Sequence, residues 1–351
     1  MRPGRADRAP RPRRFGVPVR KIRVGMALAL IWALAACQEE ETVTVYTSVD
    51  RQFSEPVLKA FETETGIRVE ALYDVEAAKT TGLVNRLISE ADRPRADVFW
   101  NGEFLQTQLL AEKGILAPYA PAGIDAAQQD DRHLWTAFGG RARVLIVNTD
   151  RLSAADWPQS ISDFLSPRWP GERLAVAHPL FGTSATHAAA LYSHWGPATA
   201  LEFYNALKDR EVRIVDGNSV VRDMAVRGEI LFGLTDTDDA CAARENGAPV
   251  AVLFPDQREE DMGTLVIPNT VALIEGAPHR EAGRRLIDYL LSAAVAEALG
   301  QAGWFHVSGA AVLAPTGCAL PETVKAMEIE PAALFGALDR AKAELRQALV
   351  R

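Results

Sequence analysis

Three aspartates lie close together in residues 235–239, directly after the apolar run 229–234. That run has the composition of a buried strand, and Asp236, Asp238 and Asp239 follow its end. Carboxylates at this spacing repel one another, and a bound metal cation or a ligand ammonium group would compensate their charge. The alternative is a solvated turn whose aspartates cap the next helix. Because ligands of α/β proteins bind at strand ends, we expect this loop to contact a ligand.

The same residues also allow an enzymatic interpretation. An apolar strand followed by Asp236 and Asp238 imitates the opening of a phosphatase of the haloacid dehalogenase type, in which Asp236 would be the nucleophile. However, Ala240 stands where that family places threonine or valine. We therefore predict that the protein is not an enzyme and uses no enzyme cofactor, and we keep the phosphatase as a remote alternative.

A second polar group lies where a helix is predicted to begin. Thr183, Ser184 and Ala185 follow a short apolar strand over residues 174–177. The N-terminus of a helix presents unpaired N–H groups and the positive end of the helix dipole, which favour an anion. Simple capping of the helix by Thr183 or Ser184 is the alternative.

Charge divides the chain near its N-terminus. The 351 residues carry a formal net charge of −8, but the first 36 hold nine Lys or Arg and one acid, Asp7. Removing these from 38 basic and 46 acidic residues leaves 29 and 45, a net charge of −16. A body this acidic lacks the basic surface that nucleic acids require, so we predict no nucleic-acid partner.

The basic N-terminus has the pattern of a secretory signal peptide over residues 1–36. Basic residues precede the apolar run 24–36, which is shorter than the roughly 20 residues of a membrane span. Residues 34–37 (LAAC) resemble the lipobox of bacterial lipoproteins. We expect lipid on Cys37, a tether over residues 37–42 and a location at the periplasmic face of a bacterial membrane. An ordinary signal peptide with an incidental cysteine is the alternative.

Two further cysteines, Cys241 and Cys318, remain in the body of the protein. In an oxidising compartment they can form a disulfide, and two free buried thiols explain the sequence equally well.

Strand and helix patterns alternate through the first half of the body. Residues 42–48 alternate apolar and polar side chains like a half-buried strand, and a helical repeat then stops at Gly66. The continued alternation predicts a mostly parallel α/β sheet, whose strand ends hold ligands. The polar residues at these ends are Thr47, Ser48, Asp74 and Glu103.

The second half continues the α/β pattern with strands over residues 143–148 and 174–177. The apolar run 264–274 has Pro268 in its middle. Since proline donates no hydrogen bond to a neighbouring strand, we expect this run to cross between lobes rather than form a central strand. Helices are predicted over residues 280–299 and from Glu322 to the C-terminus.

Six segments of the body match a known family as a set, in order and in spacing. They are residues 44–46, 60–69, 95–99, 114–118, 140–144 and 217–220. In these segments the chain resembles the periplasmic ferric-iron-binding proteins, and the resemblance covers nearly all of its mature length. It implies an α/β fold of the two-lobed periplasmic binding protein class (type II), with a ligand cleft and two hinge crossings, expected near residues 138–143 and 264–271.

The resemblance also implies domain boundaries and partners. Lobe 1 would comprise residues 43–138 and 271–310, and lobe 2 residues 139–270 and 311–351. The implied partners are the permease and ATPase subunits of an ABC importer, a small-molecule or metal ligand, and the membrane through the N-terminal lipid. The protein would act as a monomer.

The site residues of the family map unevenly onto this sequence. Its histidine falls at Asp50, its glutamate one residue from Glu103, and its tyrosine pair near Thr237 and Asp238, with no tyrosine in residues 235–239. The implied ligand is a metal cation, ferric iron by resemblance, with phosphate or carbonate as co-bound anion. The predicted metal ligands are Asp50, Glu103, Asp236 and Asp238. The predicted anion or substrate contacts are Thr47, Ser48, Asp74, Thr183, Ser184, Ala185, Asn218, Thr237 and Asp239.

A different ligand fits the same architecture. An organic anion or zwitterion, such as an aminoalkylphosphonate or a sugar phosphate, would place its anionic group at Ser184 and Asn218. Its ammonium or hydroxyl groups would then meet the aspartates. The missing tyrosines favour this alternative.

Overall fold

A computed structural model of the protein describes Met1 and residues 41–74, 81–308, 311–313, 318, 320 and 324–349. The predicted lipidation site Cys37, and the signal peptide apart from Met1, lie outside the described residues. The chain divides into the units Met1–Glu41 and Thr42–Arg351, and every element below lies in the second. No helix among the described residues has the length and apolar character needed to cross a membrane.

The second unit alternates strands and helices as the sequence predicts. The strands are β1 Thr42–Thr47, β2 Arg68–Tyr73, β3 Val98–Asn101, β4 Leu116–Ala117, β5 Thr136–Asn148, β6 Leu174–Ala177, β7 Arg213–Val215, β8 Phe232–Asp236, β9 Val250–Leu253, β10 Val266–Ile274, β11 His306–Ser308 and β12 Ala311–Leu313. The α-helices are α1 Arg51–Thr65, α2 Thr81–Ser89, α3 Leu105–Glu112, α4 Gly182–His194, α5 Pro197–Asp209, α6 Asn218–Val226, α7 Thr237–Glu245, α8 Arg280–Leu290, α9 Ala293–Gln301 and α10 Pro331–Leu349.

Ten of the described strands form one sheet in the order β2-β1-β3-β10-β5-β8-β6-β7, with β4 paired to β10 and β9 to β5. In one half of the sheet, β1 pairs with β2 and β3 in parallel. In the other half, β6 pairs with β7 and β8 in parallel. In each half the parallel strands therefore end at a common edge, where ligands of α/β proteins bind.

Strands β5 and β10 connect the two halves. They pair antiparallel from Val266 opposite Ala142 to Val271 opposite Thr136, and their register shifts between Pro268 and Asn269. The predicted crossing is therefore present, but the expectation that Pro268 excludes a central strand is wrong. Strand β10 lies between β3 and β5, and the register shift accommodates the proline that has no N–H to donate.

Each half of the sheet has its own apolar core. One core surrounds β1, β3, α1 and α8, where the rings of Phe61 and Tyr289 meet edge to face. The other surrounds β5, β6, α4 and α5, where Phe164 meets Phe232. Separate apolar clusters in the two halves agree with the two lobes that the family resemblance implied.

Three local predictions differ from the structure. Residues 235–239 are not a loop, because Asp236 ends β8 and Thr237 begins α7 directly. The single helix predicted over residues 280–299 is two helices, α8 and α9, since the Ser292 hydroxyl accepts a hydrogen bond from the Val295 N–H and starts a new helix. The C-terminal helix begins at Pro331 rather than at Glu322.

Of the two alternatives for the body cysteines, the structure has the disulfide. Cys241 of α7 is bonded to Cys318, with the two Cα atoms 5.4 Å apart.

Candidate functional site

Three helices begin at the edge of the second half of the sheet. Strands β6, β7 and β8 are parallel, so their carboxyl ends coincide, and α4, α6 and α7 follow them. None of the three N-cap residues, Phe181, Gly217 and Asp236, makes a side-chain capping hydrogen bond. The first N–H groups of a helix have no partner inside the helix. These helix starts therefore bring backbone N–H groups and the positive ends of helix dipoles to one edge of the sheet.

A cavity opens at this edge. Six of the residues predicted from sequence line it, namely Ser48, Glu103, Thr183, Ser184, Asn218 and Asp236. The remaining lining residues are Arg141, Ala177, His178, Phe181, Gly182, Asp216 and Gly217.

Asp236 is a buried acid of the cavity with several hydrogen-bond partners. Its Oδ1 accepts a 2.6 Å hydrogen bond from Arg143 Nη1, and its Oδ2 accepts from Thr183 Oγ1 at 2.6 Å and Asn218 Nδ2 at 2.9 Å. Its side chain is completely buried. Burial alone would raise the pKa of Asp236, but Arg143 and Arg141 outweigh it and hold that pKa below its usual range. Asp236 is therefore an ionised carboxylate with its partners inside the protein.

Arg141 is the second buried positive charge at this edge of the sheet. Its Nη1 donates to Asp238 Oδ2 at 3.0 Å, and its Nη2 donates to the Gly102 carbonyl at 3.0 Å. Its guanidinium lies 5.3 Å from the ring centre of Trp304. Burial disfavours the charge, but Asp238 and Asp236 outweigh it and raise the pKa of Arg141. The aspartates at the end of β8 are thus compensated by arginines of β5.

Glu103 is buried where the two halves of the sheet meet. Its oxygens accept from the backbone N–H groups of Leu105 at 2.8 Å and Gln106 at 3.0 Å, so it caps the start of α3. They also accept from Thr186 Oγ1 of α4 at 3.0 Å and Asn101 Nδ2 at 3.2 Å. Burial raises its pKa against these hydrogen bonds. Glu103 therefore links the start of α3 to α4.

The other residues predicted as substrate contacts do not line the cavity. Thr237 Oγ1 accepts from the Ala142 N–H at 3.2 Å, and Asp239 Oδ1 accepts from Arg222 Nη1 at 2.9 Å. Thr47 Oγ1 accepts from the Val49 N–H at 3.1 Å. The last two predicted contacts that do not line the cavity are Asp74, which follows β2, and Ala185, which is buried in α4.

The four carboxylates predicted as metal ligands have different surroundings. Asp236 and Asp238 pair with arginines, Glu103 caps α3, and the partly buried Asp50 precedes α1. Among the described residues, no three His, Cys, Asp or Glu side chains are grouped so that they could hold a metal ion. The assignment of these four residues to a metal stays a prediction.

Arg141, Arg143 and His178 belong to the site but are not among the residues predicted from the sequence. Arg141 and Arg143 stand two residues apart in an otherwise apolar strand, so their side chains share one face of β5. A buried arginine needs a partner, so two arginines on one face of a predicted buried strand could have indicated a polar site. His178 gave no comparable signal, because an isolated histidine after a strand has no distinctive pattern.

The comparison with known proteins shows the family of this chain. Residues 43–305 match the family described as bacterial extracellular solute-binding protein. The chain belongs to this family. This solute-binding protein therefore has the α/β fold that the sequence resemblance implied, and its relatives are binding proteins rather than enzymes.

Two curated relatives differ in the ligand that their names give. The solute-binding protein is 27% identical over 282 residues to the major ferric iron-binding protein of Neisseria meningitidis serogroup B, covering 78% of this chain and 82% of that protein. It is 26% identical over 292 residues to a putative 2-aminoethylphosphonate-binding periplasmic protein of Salmonella paratyphi A, covering 80% and 83%.

The fold is shared with a solved structure. Iron-bound HitA from Pseudomonas aeruginosa aligns with a TM-score of 0.77 at 22% identity, over 88% of this chain and all of that chain. This similarity confirms the two-lobed α/β binding-protein fold of the solute-binding protein.

Proposed function

We propose that the protein is the solute-binding component of an ABC importer and binds an organic anion through a phosphonate or phosphate group. The observation that carries this proposal is the convergence of the starts of α4 and α6 on one cavity, with no capping hydrogen bond from the side chain of either N-cap residue. Backbone N–H groups and aligned dipoles at helix N-termini bind such oxyanions. The hydroxyls of Thr183 and Ser184 and the amide of Asn218 line the same cavity.

The charges of the edge agree with an anionic ligand. Asp236 and Asp238 are neutralised by Arg143 and Arg141, with N–O distances of 2.6 and 3.0 Å. Their negative charge is therefore compensated within the protein. Asp216 is exposed and lines the cavity, so an ammonium or hydroxyl group of a zwitterionic ligand would lie near it. The name of the Salmonella relative supports a phosphonate of this kind.

A panel of ligands tests the proposal by thermal melting of the purified protein. The panel contains 2-aminoethylphosphonate, inorganic phosphate, a sugar phosphate and ferric citrate. A ligand at about a thousand times its Kd stabilises the folded state by about 4 kcal/mol, which raises Tm by several degrees. We expect this rise with a phosphonate or phosphate ester in the absence of iron. A rise confined to ferric citrate contradicts the organic-anion proposal.

A charge placed at the start of α4 tests the location of the site. Ser184→Asp puts a carboxylate where the ligand anion would lie, and we expect it to abolish stabilisation by the phosphonate. Ser193→Asp is the matched control, because Ser193 is exposed near the other end of α4. Equal binding by both variants would place the anion elsewhere.

Ferric iron with phosphate or carbonate as co-bound anion is the second candidate. The name of the Neisseria relative and the iron-bound HitA structure support it. Iron would use Asp50, Glu103, Asp236 and Asp238, and the ion pairs of Asp236 and Asp238 would have to open. A Tm rise that needs both ferric iron and phosphate, and that is lost in Asp50→Asn, would establish this candidate.

The remaining parts of the proposal rest on the family and, for the lipid, on the sequence of residues 34–37. We propose permease and ATPase subunits as partners, a monomeric state, and anchoring at the periplasmic face of the membrane through lipid on Cys37. We also propose residues 43–138 with 271–310 as lobe 1, and 139–270 with 311–351 as lobe 2. Cys37→Ala should release the protein from the membrane fraction if the lipid is its anchor.

A further inference from the structure

His178 occupies the gap between two of the converging helix ends. It follows the last residue of β6, and its backbone N–H donates to the Val215 carbonyl of β7 at 2.8 Å. Its half-buried ring lines the cavity together with Gly182 and Gly217, at the starts of α4 and α6. The ring of Phe181 lies 5.7 Å away and packs against the imidazole. The imidazole is therefore held beside the proposed anion position.

Among the described residues, one nitrogen of the His178 imidazole has no hydrogen-bond partner. This atom, Nδ1, is buried. A buried polar atom without a partner is costly, so a ligand that supplies one gains affinity. Burial lowers the pKa of His178, and the negative charge of Asp216 opposes that shift. The imidazole without ligand is mainly neutral at pH 7, because its ordinary pKa of about 6.5 is lowered further.

Resting on the proposed anion site, we propose that His178 is a specificity-determining residue that pairs with the ligand oxyanion as an imidazolium, so that ligand binding takes up a proton.

None of the other charged groups around the cavity takes the role proposed for His178, which is to pair with the ligand oxyanion. Arg141 of β5 pairs with Asp238, and Asp236 of β8 pairs with Arg143, at N–O distances of 3.0 and 2.6 Å. Glu103, before α3, accepts hydrogen bonds from four donors. Asp216, before α6, is the group whose charge acts on His178. A dianion arriving at the helix ends adds negative charge beside the ring and favours its protonated form.

Thermodynamic linkage between proton binding and anion binding determines how the anion affinity changes with pH. If the bound anion raises the pKa of His178 by about one unit, the anion binds about tenfold more tightly below both pKa values than above them. Affinity therefore rises as the pH falls from 8 to 5.5. The same coupling appears as proton uptake at pH values between the pKa of His178 in the free protein and its pKa in the complex.

Titration calorimetry with inorganic sulfate tests the proposal, because sulfate keeps its charge over this pH range. Proton uptake is measured by repeating each titration in two buffers of different ionisation enthalpy. For the wild-type protein we expect binding up to about tenfold tighter at pH 5.5 than at pH 8, and uptake of about half a proton midway between the pKa values of the free and the bound protein. His178→Gln should reduce the affinity ratio to about one and remove the uptake. His194→Gln, an exposed change in the last turn of α4, is the control.

The Asp216→Asn variant distinguishes titration of the His178 imidazole from a purely structural role of that ring. Removing that carboxylate should move the midpoint of the affinity profile to lower pH while the profile itself persists. Proton uptake retained in His178→Gln would overturn the proposal, as would an Asp216→Asn profile identical to wild type. A wild-type protein that binds neither sulfate nor phosphate at any pH would instead overturn the anion site itself.

Discussion

Arg143 and Asp236 form an ion pair in the interior, with Arg143 Nη1 2.6 Å from Asp236 Oδ1 and both side chains at most 2% exposed. The pairing of β5 with β8 places these two residues directly opposite each other. Arg143 Nη1 also donates to Thr183 Oγ1 at 3.3 Å and Asn218 Oδ1 at 2.9 Å. The pair therefore ties two strands to the first residues of α4 and α6, and it positions the helix ends that line the cavity.

Removing the carboxylate of this pair should destabilise the fold. Asp236→Asn keeps the shape of the side chain but leaves Arg143 buried without its counter-charge. Breaking a buried pair in this way costs about 3–5 kcal/mol. Urea unfolding at pH 7 measures the loss. Asp209→Asn, an exposed change at the end of α5, is the control and should stay within about 0.5 kcal/mol of wild type.

The pKa of Asp236 determines how its contribution to the free energy of unfolding changes with pH. The pKa of Asp236 in the folded protein lies below its ordinary value of 3.8. Its stabilisation is therefore fully present above the unfolded pKa and is lost as the pH falls through the folded pKa. The stability difference between wild type and Asp236→Asn should be constant from pH 7 to 5 and shrink below pH 4. A difference that is already lost at pH 5 would contradict a lowered pKa.

His187 should make the protein sensitive to mild acid. Burial first, and Arg143 second, lower the pKa of this buried histidine to about 3, so the folded protein holds it neutral. Because the unfolded chain binds its proton near pH 6.5, stability falls as the pH drops below 6.5 towards 3. The loss is about 2 kcal/mol at pH 5. Urea unfolding of His187→Gln between pH 7.5 and 5 should lack this component, whereas His194→Gln should show the wild-type slope.

The disulfide between Cys241 and Cys318 should stabilise the fold across a long loop. The two cysteines are 77 residues apart, and a cross-link of this kind contributes about 2–5 kcal/mol. We expect Cys241→Ala, Cys318→Ala and the double variant to lose similar amounts, since each removes the same bond. Urea unfolding with and without dithiothreitol measures the loss, and the reductant should affect only the wild type. Additive losses from the single variants would show that the disulfide is not the source.

Two glycines should respond in opposite directions to alanine. A Cβ at Gly233 of β8 would lie 2.4 Å from Val221 Cγ1 and 2.8 Å from the Ala175 carbonyl oxygen. Gly233→Ala should therefore cost about 1–3 kcal/mol by overpacking. Gly336→Ala is the matched control, because no atom lies within 4 Å of its Cβ position in α10. That change should raise the free energy of unfolding by about 0.5–1 kcal/mol, and equal effects at both positions would contradict the packing.

Local patterns were enough to predict much of the fold. The helical repeat ending at Gly66 corresponds to α1, whose cap Gly66 has a φ of 72°. The alternating residues 42–48 correspond to β1. Such patterns are informative because burial of one face and backbone geometry act within a few residues. They are weaker at segment ends, which is why the boundaries of α8, α9 and α10 were missed.

The sequence by itself determined the residue types available at the strand ends, including Thr183, Ser184, Asn218 and Asp236. The tertiary structure decided which of them meet. Arg143 and Asp236 are 93 residues apart, and only the register of β5 against β8 brings them together. The same long-range pairing buries the aspartates beside arginines instead of leaving them in a solvated loop. Local propensity carries no information about such contacts, because their energy depends on partners that are distant in sequence and near only after folding.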